Sequence, residues 1–154
     1  MRDLSRFSFG ATSAVTSSLA LMVGLSQLDV SRMGLIGALL VLGLADNIAD
    51  ALGIHIYSES KSKTHSKLNT ATNYLTRLGI TLLMIIFVVL LPFQYALLAS
   101  ILTGLVVIAV LSYFIAEEHG IDPRRAVVEH LAVAALVLIV SRLVGSTIRS
   151  MFPS

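Results

Sequence analysis

The sequence predicts an all-α, polytopic membrane protein: one transmembrane domain over residues 1–154 with five transmembrane helices. Three observations predict it. Of the 154 residues, 56% are hydrophobic and 13% charged, whereas soluble domains hold about 45–50% and about 25%. Five stretches reach the roughly 20 mostly apolar residues that a bilayer-crossing helix needs. No stretch shows the alternating segments of about 10 residues that build a membrane β-barrel. Lipid offers no partner for backbone N–H and C=O, so each span has to be a helix.

The expected spans are 7–25, 32–57, 74–91, 95–116 and 126–145. Residues 1–6 are basic and precede a semi-apolar run, as in a signal peptide. The run is rich in Ser and Thr, however, lacks a strong apolar centre, and is followed by four more spans. It reads as the first membrane helix. Residues 26–31 join the first two spans. The polar run SESKSKTHSKLNTAT, 58–72, reads as the longest loop. Pro92 sits in a short link, 91–94, which makes spans three and four a tight hairpin. In EEHGIDPRR, 117–125, Gly120 and Pro123 read as a helix stop and a new start.

Lys and Arg set the expected orientation. Arg2, Arg6, Lys61, Lys63, Lys67, Arg77, Arg124 and Arg125 fall on one side; Arg32, Arg142 and Arg149 fall on the other. This predicts a multi-pass protein with a cytoplasmic N-terminus and an external or lumenal C-terminus. Five is an odd number of spans, so an internal repeat of equal inverted halves does not fit. Two-fold symmetry would have to come from a homodimer. The chain has no Cys, which removes disulfides and thiolate sites. A net charge of +2 gives no case for nucleic acid. No nucleophile has a paired base and no H-E-x-x-H occurs, so the chain does not read as an enzyme.

The residues that stand out are Asp46, Asn47 and Asp50 in GLADNIADALGI. A carboxylate at mid-helix costs about 2.5–3.5 kcal/mol to insert, so intramembrane acids mark candidate sites. Asp46 and Asp50 are i, i+4 and share a face. Two carboxylates this close resist joint ionisation, so either a proton or a bound cation is expected between them. The alternative is that they glue helices through hydrogen bonds. In the first span, Thr12, Ser13 and Thr16 belong to a hydroxyl stripe that would add oxygen ligands or simply allow close packing. His55, Tyr57, Glu59, Glu117, Glu118 and Glu129 read as a cytoplasmic entrance for cations, or as ordinary interfacial residues.

Two segments carry a family resemblance. FGATSAVTSSLALMVGL resembles the opening helix of vacuolar iron transporters, and GLADNIADALGI resembles their second helix. SRLVGSTI is similar to the family's last span. The resemblance implies a homodimer that exports a divalent metal, Fe2+ or Mn2+, from the cytoplasm in exchange for protons, with no tightly bound cofactor. It places Asp46 on the family's helix-two Glu, Ile54 on its Met and Ser13 on its helix-one Asp. Asp50 replaces a glycine, which suggests that the second carboxylate has moved onto the same helix. The basic loop SKSKTHSK stands where some members have a Glu-rich metal-binding insert. The expected cation site is therefore Asp46, Asp50, Asn47, Ser13, Thr12 and Thr16, a hard oxygen set. The alternatives are a transporter of another cation, or a non-transporting membrane scaffold of the same fold.

Overall fold

A computed structural model describes residues 5–61 and 66–152; side chains are described except at 5, 6, 54, 57–61 and 66–69. Every regular element in it is helical. Helix α1 is Ser5–Leu25, α2 Arg32–Val41, α3 Asn47–Lys61, α4 Ser66–Leu90, α5 Phe93–Glu118 and α6 Pro123–Met151. A π-helical turn, Leu42–Asp46, joins α2 to α3, so these elements form one continuous second span. Five helices are long and apolar enough to cross a bilayer.

The five predicted spans are present, but their ends differ from the expected ones. The region 58–72 is not a long loop. Helix α3 continues to Lys61 and α4 begins at Ser66. The polar residues there extend two helices past the apolar spans, because hydropathy marks where lipid ends and not where hydrogen bonding ends. Likewise α6 runs to Met151, and Asp29 meets its Arg149 at 2.8 Å.

Local chemistry explains the ends. Ser31 accepts from the Gly34 N–H and caps α2. Gly120, at φ 67°, closes α5: the Ile121 N–H returns to the Ala116 carbonyl at 2.9 Å. Asp122 then caps α6, with Pro123 in its first turn. Arg32 donates to the Leu91 carbonyl at 2.9 Å and satisfies the end of α4 before Pro92.

Helix α1 is the hub and packs on α4, α5 and α6, while the second span leans mainly on α4. At the end of the bundle where α1 meets α2 and α4 meets α5 lies an apolar core of Met22, Leu35, Leu39, Met84, Val88 and Ala96. A second cluster, Val15, Leu19, Ile108 and Ala134, joins α1 to α5 and α6. Glycine permits the closest crossings. A methyl on Gly145 would lie 2.3 Å from the Gly24 carbonyl oxygen, and one on Gly10 would lie 2.6 Å from Asn73 Oδ1. Small residues bring helix backbones together where lipid tails give no net hydrophobic drive.

Candidate functional site

The acid pair is placed by the π-helical turn. Gly43 lies in that turn, and a methyl there would stand 3.0 Å from the Thr81 side chain of α4. The tight approach presses the turn onto α4. Such single-turn π segments are frequent at functional sites. One residue beyond it, Asn47 is buried at 1% exposure and donates to the Tyr74 carbonyl at 2.9 Å. Asp46 and Asp50 flank Asn47 and stay half-exposed, at 49% and 40%.

A single side chain holds both acids. Arg77 of α4 is 3% exposed, and its Nη2 donates to Asp46 Oδ2 at 2.9 Å. Its Nη1 is ion-paired with Asp50 Oδ2 and donates to Ser13 Oγ of α1. The expected cation between the carboxylates is therefore, in this structure, a guanidinium. Arg77 lies within the candidate span of α4 and is buried against the acids, not open to solvent. It does not belong with the flanking basic residues; without it the charge asymmetry is seven against three.

More buried polarity adjoins the cluster. Asn73, one turn before Arg77, is 3% exposed, and neither atom of its amide has a partner among the described residues. Asn47 Oδ1 and Arg77 Nε are also buried without partners. Unsatisfied buried polar atoms are costly, and each calls for an explanation.

The six expected ligands do not form one shell. Asp46, Asp50 and Ser13 meet at Arg77, with Asn47 beside them. Thr12 and Thr16 instead donate to their own helix, at the Ser8 and Thr12 carbonyls. Both line a separate cavity of about 380 Å3 with Ser112 and His130, on the α5–α6 side of α1. There Ser112 donates to the Ile108 carbonyl, and His130 Nδ1 lies 2.8 Å from Ser112 Oγ. A hydroxyl has one hydrogen, so this bond requires Nδ1–H as the donor and leaves Nε2 of a neutral ring as an acceptor.

The expected entrance residues are scattered. His55 lines a cavity between α3 and α4 with Thr70 and Tyr74. The side chains of Tyr57 and Glu59 lie outside the described residues. Glu117 and Glu118 stand exposed at the end of α5, and Glu129 is paired with Arg125 at 2.8 Å. Among the described residues, no three His, Asp or Glu side chains gather as a metal centre would require.

Arg77, Asn73 and the Ser112–His130 pair were not among the expected site residues. An arginine only three residues into a span beginning at 74 looks like a flanking charge; its 3% exposure and its pairing with the second span's acids set it apart from one. The chain matches no family model, no curated protein and no solved structure.

Proposed function

We propose that this chain is a cation transporter of the vacuolar iron transporter type, a homodimer that exports a divalent metal, Fe2+ or Mn2+, in exchange for protons. One observation carries the reading: a half-exposed carboxylate pair on a spanning helix, with its second face open. Acids left toward lipid are too costly to keep without a task or a cover. Their oxygens suit a hard divalent ion. Against the single guanidinium, the two carboxylates leave each chain one formal negative charge at the site. Two chains facing each other would balance one divalent ion.

The homodimer has its own support. The outward side of the second span presents Gly37, Ala45, Ala49 and Gly53, all exposed, in register with the acids. Nothing lies within 4 Å of a methyl built on Gly37 or Gly53. Small residues on an open helix face favour close approach of a second helix. The remaining excess of Lys and Arg on the N-terminal side supports a cytoplasmic N-terminus.

The test is Mn2+ and Fe2+ flux in proteoliposomes. Asp46→Asn and Asp50→Asn are each expected to cut flux by about tenfold or more, since losing even an outer-shell partner of a metal ligand costs about 10–100-fold. Parent-level flux in both variants sinks the assignment. One observation favours a second reading, a scaffold: Arg77 already pairs both acids, as structural glue would. Under that reading Mn2+ leaves the thermal midpoint of the purified protein unchanged. A ligand specific for the folded form raises it.

A further inference from the structure

We infer that Arg77 is a tethered counter-cation: its guanidinium holds the acid pair while no cargo is bound, and an arriving cation takes its place. This rests on the cation-transport reading and says how that site is kept and emptied. Among the described residues, Arg77 is the partner of both carboxylates and they have no other. It also draws in Ser13, so three of the six polar groups expected to bind cargo are already engaged by one internal positive charge.

The two approaches to the acids differ. Arg77 reaches them from the buried side, at 3% exposure, whereas the carboxylates are open on the other side. A cation arriving there meets carboxylate oxygens first. Its charge then stands beside the guanidinium at a few ångströms in a poorly screened setting, where like charges repel strongly. One of the two has to leave.

Arg77 has somewhere to go. Helical side chains tend to lean over the turn that precedes them, which for Arg77 is the turn that carries Asn73. The Asn73 amide is buried and lacks any partner among the described residues, and Asn47 Oδ1 is a second buried acceptor without a donor. Arginine carries five N–H donors, and its Nε–H is unused while the acids are held. A guanidinium that retreats one turn satisfies acceptors that are unmet in the resting state. Cargo binding and Arg77 binding to the acids are thus alternatives, and Arg77 sets the affinity and charge threshold of the site.

Mn2+ binding to the full chain in lipid nanodiscs, followed by calorimetry, tests this. Arg77→Gln is expected to bind Mn2+ roughly tenfold or more tightly than the parent, because a competing unit charge is gone. Arg77→Lys keeps the charge the fold needs but cannot span both acids and Ser13 at once. It is expected to fall between the two, and it decides the matter if Arg77→Gln does not fold. Asn73→Leu removes the retreat and is expected to bind several-fold more weakly. Equal or weaker Mn2+ binding in Arg77→Lys and Arg77→Gln overturns the inference and makes Arg77 an orienting group behind the carboxylates. If the parent binds Mn2+ and Asp46→Asn/Asp50→Asn does not, the transport reading survives that failure. If neither the parent nor any Arg77 variant binds Mn2+, both fall.

Discussion

Thr12 and Ser13 are neighbours in α1 and carry the same functional group, yet they face different surroundings. Ser13 turns toward α4 and joins a charged knot of Arg77, Asp46 and Asp50. Thr12 turns toward α5 and α6, returns its hydroxyl hydrogen to its own helix, and lines an apolar cavity. One face of α1 is tied to α4 by a long-range polar bond, from Arg77 to Ser13, beside an apolar core. The other is held by shape, with Gly145 set against Gly24 and Val15 and Leu19 against Ile108 and Ala134. A hydroxyl stripe in a membrane helix is therefore not one site. Which row it belongs to, 100° apart on the wheel, decides whether it serves charge or packing.

Three substitutions probe that division, from the largest expected effect to the smallest. Arg77→Leu leaves two carboxylates without a counter-charge. It should cost about 2–4 kcal/mol, near the lower end for a broken buried pair because the acids are half-exposed. Denaturant unfolding in bicelles reads it, and a loss below that of Gly145→Ala would undo the claim that charge dominates the α4 face. Gly145→Ala forces a methyl into the Gly24 backbone and should cost about 1–3 kcal/mol as overpacking. The same unfolding assay checks it; an unchanged midpoint would show that α1 and α6 are not tightly seated. Thr16→Val keeps the shape and removes a hydroxyl that bonds only within its own helix. It should change stability by less than about 0.5 kcal/mol. A larger loss would mean that this face, too, depends on polar bonds.

The bundle was largely legible in the sequence because span length and apolarity are local properties. The five helices follow from composition, and the Gly120–Pro123 boundary follows from turn chemistry. The shared face of Asp46 and Asp50 followed from i, i+4 spacing, and both do meet one group. That group was not legible. Asp46 and Arg77 are 31 residues apart, and only the packing of the second span on α4 brings them together. The hydroxyls of Thr12 and Thr16 suit the acids by chemistry alone, but a residue's azimuth around α1 depends on where α4, α5 and α6 settle. The π-helical turn that aims Asp46 has no signature in residue type beyond Gly43.

The Arg77 knot also bears on how the protein gets into the membrane. At the centre of a lone helix, each charge of this kind costs about 2.5–3.5 kcal/mol on insertion scales. The second span brings two such charges and α4 brings one, and each stretch is consequently a poorer insertion substrate than its apolar residues suggest. The penalty is reduced when the two segments meet, since the guanidinium offsets one of the two acid charges only across helices. Partitioning of this helical pair into lipid is thus energetically coupled, and the pair, more than either span, is the unit that the insertion machinery has to release.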